Sequence, residues 1–241
     1  AVLAGGIRRS ALLTIFSLED ALMMNAKTGS WFIENPQRAR SNNSVLLIRK
    51  QTSEEQFKKI FKSTKQFGEP GFIWADDKET LFNPCVEVSL YAHDHETKTS
   101  GSEMCNLSEI NMKMVNSESD FMRACRSASI LGTLQAGYTK FPYLGKATEN
   151  IVRREALLGC SMTGMMDRPK FAFDPKLQRR GALEIKRVNK IVARLLGINP
   201  SARTTCVKPA GSTSCILGTA SGIHPHHSKR YFRRIQCTKT D

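Results

Sequence analysis

Asn83, Cys85 and Glu87 occupy alternate positions in the stretch NPCVEVSL, residues 83 to 90. In an extended chain residues i, i+2 and i+4 line one side. An amide, a thiol and a carboxylate would then face one ligand, with Pro84 and Val86 turned away. That trio suits a site where one group binds, one reacts and one moves a proton.

Three other stretches carry groups of chemical interest. In KPAGSTSCILG (208–218) a strand runs into Pro209, Ala210 and Gly211, then Ser212, Thr213 and Ser214, then a helical segment. Small residues let backbone N–H groups approach an anion, hydroxyls add donors, and a helix start supplies partial positive charge. The GKS or GKT ending of a Walker A loop is absent. In HPHHSKRYFRR, His224, His226 and His227 are spaced poorly around a proline for one tetrahedral metal site, so no metal is expected there. Seven cysteines (85, 105, 125, 160, 206, 215 and 237) form no CxxC pair, and Cys105 lies twenty residues after Cys85, which is no zinc spacing. An odd count without a secretory signal argues for a reducing compartment. Cys125, Cys160 and Cys206 stand in apolar or helical contexts and read as small buried hydrophobes.

The elements that must position these groups alternate between helices and short apolar strands. Ser17 with Asp20 reads as a capping box, opening a helix that runs to Gly29. Residues 44–49 (SVLLIR) and 71–75 (GFIWA) read as strands. Between them Thr52 or Ser53 caps a helix carrying Phe57, Ile60, Phe61 and Phe67, ended by Gly68 and Pro70. AHDHETKTSGS (92–102) reads as a loop with solvated His93 and His95. Further helices are expected from Ser117 toward Tyr138, from near Thr148, and from Asp174-Pro175 to Gly197, with TTCVK (204–208) a strand. The pattern predicts an α/β protein with a largely parallel, enclosed sheet. No repeat or linker interrupts it, so residues 1–241 are read as a single domain.

The net charge of +14 is unevenly placed: residues 1–120 hold 14 Lys+Arg against 16 Asp+Glu, residues 121–241 hold 22 against 6. A basic half suggests polyanions, either nucleic acid or nucleotides carrying several phosphates. The pairs Arg153-Arg154 and Arg179-Arg180 read as solvated helix faces. No apolar run is long enough to span a bilayer, so no membrane partner is expected and the cytoplasm is the expected compartment. The chain starts and stops as if cut from something longer.

Taken in order, NPCVEVSL, CNLSEINM, GTLQAGYT, VRREALLGCSMTGMMD and VKPAGSTSCILGTASGIHPHHSKRYFRRIQ resemble the catalytic barrel of ribonucleotide reductases. The resemblance is nearest to the adenosylcobalamin-dependent (class II) ribonucleoside-triphosphate reductases, and it covers nearly the whole chain. It implies an α/β fold, part of a ten-stranded α/β barrel of two half-barrels, incomplete at both ends. By the same resemblance, Cys85 matches the cysteine that becomes a thiyl radical, on homolysis of the cofactor's cobalt–carbon bond, and takes hydrogen from C3′ of the ribose. Glu87 matches the glutamate that takes the 3′-hydroxyl proton, and Asn83 the asparagine that hydrogen-bonds the ribose hydroxyls. Pro84 fits poorly in a central strand, in keeping with the family's loop inserted into the barrel. Where the family most often has glycine, this chain has Val86.

Cys105 matches one member of the family's reducing pair. Its partner lies upstream of where this chain starts, and none of the other six cysteines matches it. Residues Pro209, Ala210, Gly211, Ser212, Thr213 and Ser214 match the segment that holds the substrate phosphates. AGGIRRSA (4–11), with Gly5, Gly6, Ile7, Arg8, Arg9 and Ser10, falls where the family has the loop reporting a bound deoxynucleotide effector. The resemblance implies adenosylcobalamin as cofactor, a ribonucleoside tri- or diphosphate as substrate and a thioredoxin-like protein as reductant. Two alternatives stand beside it. One is a ribonucleotide reductase whose radical comes from a partner subunit with a metal centre. The other is a basic nucleic-acid-binding module, for which no recognised motif is present, so no stable nucleic-acid partner is expected.

Overall fold

The structure is a computed structural model and describes residues 12–226, 228–230 and 232. Chain contacts divide it into two compact units, one running to Leu90 and the other from Tyr91.

The first unit is a three-stranded parallel sheet in the order β1 (Leu12–Phe16), β2 (Ser41–Ile48), β3 (Gly71–Ala75). Two short helices, α1 (Ala21–Met24) and α2 (Trp31–Glu34), and a 3₁₀ turn connect β1 to β2. The expected long helix toward Gly29 is therefore a single turn. Asp20 caps it by accepting the Met23 amide at 2.9 Å, and Asn25 ends it after Met24. Helix α3 (Glu54–Phe67) makes the crossover from β2 to β3. Ser53 and Gln56 form its capping box, and Gly68 closes it in the left-handed conformation, as the sequence predicts. Ile60 and Phe57 of α3 pack against Val45, Leu47, Phe72 and Trp74. Strand alternation then turns Asn42 and Ser44 of β2 to the opposite face of the sheet. The unit ends in a hairpin of two-residue strands, β4 (Leu81–Phe82) and β5 (Ser89–Leu90).

The second unit opens with a small hairpin, β6 (His93–Asp94) and β7 (Thr99–Ser100), within the segment expected to be a plain loop. Asp94 shapes its turn by accepting the Thr97 amide and hydroxyl. The centre of the unit is β8 (Asn106–Asn111) paired in parallel with β9 (Leu158–Thr163). Residues 204–208, expected as a strand, join β9 through one parallel bridge, Cys160 to Thr205. Helices α4 (Glu118–Ala136), α5 (Gly145–Glu155), α6 (Pro169–Ala172), α7 (Pro175–Leu196) and α8 (Ser212–Leu217) complete it. Both long helices start where their sequence signals stand, at the Ser117 cap and at Asp174 followed by Pro175.

Helices α4 and α7 cover one face of β8 and β9. Ile110, Leu158 and Cys160 meet Phe121, Cys125, Leu177 and Ile185 in the core. Ser108 hydrogen-bonds the Ala128 carbonyl of α4 at 3.3 Å. Gly181 is required at the helix crossing, because a Cβ there would lie 2.5 Å from the Phe121 ring. Residues of the other parity (Leu107, Glu109, Gly159, Ser161 and Thr163) therefore face away from these helices. Among the described residues no helix is long and apolar enough to cross a membrane.

Candidate active site

Asn83, Cys85 and Glu87 lie in the tight loop between β4 and β5, not in an extended strand, so simple alternation does not arrange them. Pro84 has no N–H to pair, and the chain turns directly after Asn83. The Asn83 carbonyl accepts the Val86 amide at 2.8 Å, and its side-chain oxygen accepts the Val88 amide at 3.0 Å. With that oxygen engaged, the Asn83 NH₂ is the group left to offer a ligand. Val86 sits at φ 62°, a left-handed backbone that β-branched residues rarely adopt. This is the position at which the resembling family most often has glycine, and backbone shape gives the reason.

The loop is tied down from outside as well. Asn42 Nδ2, on the face of β2 away from α3, donates to the Pro84 carbonyl at 2.6 Å. Sequence reasoning gave Asn42 no role, since it stands in the polar run SNNS ahead of the apolar stretch read as the strand. Cys85 is half-buried and in no disulfide. Glu87 is half-buried, and its Oε2 is shielded from solvent with no hydrogen-bond partner. A buried carboxylate oxygen without a donor is costly, and such an atom is fitted to receive a proton or a hydroxyl from a ligand.

In the second unit, the sheet face turned away from α4 and α7 carries its own chemistry. Cys105 immediately precedes β8. A Cβ on Gly159 of β9 would lie 3.1 Å from Cys105 Sγ and 3.1 Å from Cys206 Sγ, so the glycine makes room for two sulfurs. Farther along the same face, Lys208 forms an ion pair with Glu109, and the Lys208 amide donates to Ser161 Oγ at 2.8 Å. Glu109 Oε2 is buried without a hydrogen-bond partner. Glu109 stood in the CNLSE motif without an assigned role, and Lys208 and Cys206 were missed. Their register across three parallel segments is a tertiary property. Cys206 is half-buried, not a packed core thiol; Cys125 and Cys160 are buried as expected.

Lys208 leads into the loop of Pro209 to Ser214. Ser214 is buried, and both its amide (3.2 Å) and its hydroxyl (2.7 Å) donate to the Gly211 carbonyl, so this residue shapes the loop. A Cβ on Gly211 would meet nothing within 4 Å, which leaves the loop's crest open. Behind it the returning chain packs closely. A Cβ on Gly222 would lie 2.6 Å from the Lys208 carbonyl, and the Gly222 amide donates to Thr163 Oγ1 at 3.1 Å. Asp167 accepts the Ala220 amide at 2.9 Å and contacts His226 Nε2 at 2.6 Å, so this histidine serves the loop's return. No group of His, Cys, Asp and Glu suited to a metal ion occurs among the described residues. The expected effector loop (Gly5, Gly6, Ile7, Arg8, Arg9 and Ser10), His227 and Cys237 lie outside the described residues.

Arg153, Arg179 and Arg180 are exposed on their helices as expected, whereas Arg154 is half-buried. Arg153 pairs with Glu149 at 2.9 Å, and Arg180 pairs with Glu118. Arg154 pairs with Glu155 at 2.7 Å and donates to the carbonyls of His93 (2.8 Å) and Tyr91 (3.1 Å), clasping the β6–β7 hairpin. Beside it Glu103, with no exposed side-chain surface, accepts the Tyr91 amide at 2.5 Å. Burial pushes its carboxyl up to about 7, the Tyr91 amide opposes, and the neighbouring Glu155 adds to the rise.

No family model matches the chain. Along 99% of its length it is 26% identical to a probable adenosylcobalamin-dependent ribonucleoside-triphosphate reductase of Dictyostelium discoideum, covering 32% of that protein. It is 25% identical over its whole length to the adenosylcobalamin-dependent ribonucleoside-triphosphate reductase of Lactobacillus leichmannii, covering 37% of it. The chain is similar to ribonucleotide reductases. The resemblance carried by NPCVE and CNLSE thus holds against curated reductases, of which the chain spans about a third. Among solved structures, a B12-dependent class II ribonucleotide reductase superposes on 89% of this chain with a TM-score of 0.66 at 21% identity, covering 34% of that reductase. The class Id reductase alpha subunit of Actinobacillus ureae superposes on 92% with a TM-score of 0.61 at 13% identity, covering 50% of that subunit. The fold is mixed α/β of the kind these reductases share.

Proposed function

We propose that the chain carries the thiyl-radical site of an enzyme reducing ribonucleotides to 2′-deoxyribonucleotides. The observation that carries the reading is Glu87: a shielded carboxylate oxygen with no partner, two residues from the Cys85 thiol on a loop pinned by Asn42 and Asn83. Radical abstraction at C3′ becomes productive when the 3′-hydroxyl proton is taken at the same time, which needs a carboxylate within hydrogen-bond reach. Cys85 supplies the abstracting sulfur, Glu87 takes the proton, and the Asn83 NH₂ holds a ribose hydroxyl. Cys105 delivers electrons as the 2′-hydroxyl leaves as water.

Adenosylcobalamin, on which the curated relatives depend, would when bound supply a carbon-centred radical able to take the hydrogen atom from Cys85. The fit lies in the donor: Cys85 is an undisulfided, half-buried thiol on a constrained loop. The substrate is a nucleoside triphosphate, the class the relatives' names give, or a diphosphate. Its phosphates are held by residues 209–214, with the open crest at Gly211 as the approach. On this reading residues 1–241 belong to one catalytic domain, part of a ten-stranded barrel, working in the cytoplasm with a thioredoxin-like reductant. A deoxynucleotide effector would be sensed through residues 5–10.

Cys85→Ser in the full-length parent tests the reading. An alcohol O–H bond is too strong to replace the thiol, so turnover is expected to vanish while the fold, followed by circular dichroism, persists. Substantial nucleotide reduction by this variant would overturn the assignment. A parent active without adenosylcobalamin, but only with a second protein, would move the radical source to a partner subunit.

A further inference from the structure

Glu109 and Lys208 pair on the face of β8 and β9 turned away from α4 and α7. The Glu109 side chain is only 6% exposed and that of Lys208 13%, so both charges are largely out of water. Burying such a pair carries a desolvation penalty that its attraction only partly offsets. Apolar residues of like volume often serve stability as well or better. Glu109 Oε2 adds to the penalty, since it is buried without a hydrogen-bond partner. A pair so poorly suited to stabilising the fold has another task, and its place in the chain supplies one.

Lys208 is the last residue before the 209–214 loop, and three constraints converge on it. Its side chain meets Glu109, its amide donates to Ser161 Oγ at 2.8 Å, and Gly222 packs against its carbonyl too closely to admit a Cβ. From there to Gly211 the chain has little freedom. Pro209 fixes its own φ, and Ala210 is fully buried, its carbonyl accepting the Ser221 hydroxyl. A displacement of Lys208 is therefore passed on to the open crest at Gly211. The far end of the segment is held from the same strand: Lys113, two residues past β8, donates to the Gly218 carbonyl at 2.8 Å.

We propose that Glu109 and Lys208 are positioning residues for the substrate's phosphates. The pair sets where the loop's donors stand, and the Lys208 charge is engaged by Glu109, not by the phosphate. The proposal rests on the reading of residues 209–214 as the phosphate loop. A phosphate site built from backbone amides depends on placement, because a hydrogen bond weakens steeply as its geometry departs from linear. The phosphates are held alike before and during the reaction at the ribose. Loosened placement therefore removes uniform binding: the half-saturating nucleotide concentration rises and kcat stays nearly unchanged.

The test separates binding from folding in the full-length parent. Glu109→Met combined with Lys208→Met removes both charges and roughly keeps their volume. Equilibrium dialysis measures the Kd of a ribonucleoside triphosphate with deoxynucleotide effector saturating, and turnover is measured beside it. Kd and half-saturation are expected to rise about tenfold, the equivalent of one charge-assisted hydrogen bond. The midpoint of thermal unfolding should stay level or rise, with kcat within about twofold of the parent's. A double variant that loses thermal stability yet binds as the parent does makes the pair structural and overturns the proposal, as does a fall in kcat at unchanged Kd. Should the double variant fail to fold, Glu109→Asp decides, since it keeps both charges but shortens the reach by one methylene; unchanged Kd in it overturns the proposal. Gly211→Leu separates the two readings. If it weakens binding and the methionine pair does not, the positioning role alone falls; if neither does, the phosphate loop itself is misassigned.

Discussion

At the scale of single residues, the decisive contrast lies between Glu87 and its neighbour Val86. Glu87 keeps a buried oxygen without a donor, so changing it to Gln preserves shape but removes the proton acceptor. Turnover of the parent is expected to fall about 10²–10⁴-fold with nucleotide binding retained; near-normal turnover with Glu87→Gln would make the residue structural. Val86 holds a left-handed backbone that glycine adopts without strain. Val86→Gly is expected to relax the loop and leave thermal stability unchanged or raised by about 1 kcal/mol, the relieved strain exceeding the added unfolded-state entropy. A clear loss of stability in denaturant titration would show that the valine side chain contributes packing that outweighs its backbone cost.

Elements hold these residues by a few polar ties. Asn42 fixes the hairpin from β2, and Arg154 of α5 clasps the β6–β7 hairpin through two carbonyls beside the buried Glu103. The Glu103 carboxyl titrates near 7 in the folded protein against an ordinary 4.5. Its folded form binds the proton more tightly, so this group's stabilisation is full below pH 4.5 and is lost as pH rises through about 7. Glu103→Gln is expected to flatten the decline in stability between pH 5 and 8, the difference reaching about 1–3 kcal/mol at the alkaline end. Urea titrations at several pH values measure it; an unchanged slope in the variant would place the pH dependence elsewhere.

For the whole molecule, the arginines singled out in the basic half are largely engaged within the fold. Arg153, Arg154 and Arg180 are spent on carboxylates and carbonyls. Phosphate recognition is therefore expected at the 209–214 loop, not on the helices. Gly211→Leu meets no steric obstacle in the fold and is expected to raise the nucleotide concentration for half-saturation of the parent. Arg153→Ala should leave it nearly unchanged, since an exposed ion pair is worth only about 0–1 kcal/mol. The reverse ranking would shift phosphate binding to the helix.

Much of this protein was legible in its sequence because the signals are local. Ser53 with Gln56, Ser117, and Asp174 before Pro175 each mark a helix start by hydrogen bonds within one turn, and each helix begins there. NPCVE and CNLSE likewise carry the likeness to ribonucleotide reductases that the relatives bear out. Alternation failed at Asn83 to Glu87 because Pro84 and the bond from Val86 to Asn83 bend the chain before a strand can form. The long helix expected after Asp20 stopped after one turn because propensity and a cap do not supply the packed face a helix needs. The meeting of Cys105, Gly159 and Cys206, the ion pair of Glu109 with Lys208 and the tie from Asn42 to Pro84 were not legible. Each joins residues tens of positions apart, and which side chains share a face across separate strands is set by register, which only tertiary packing decides.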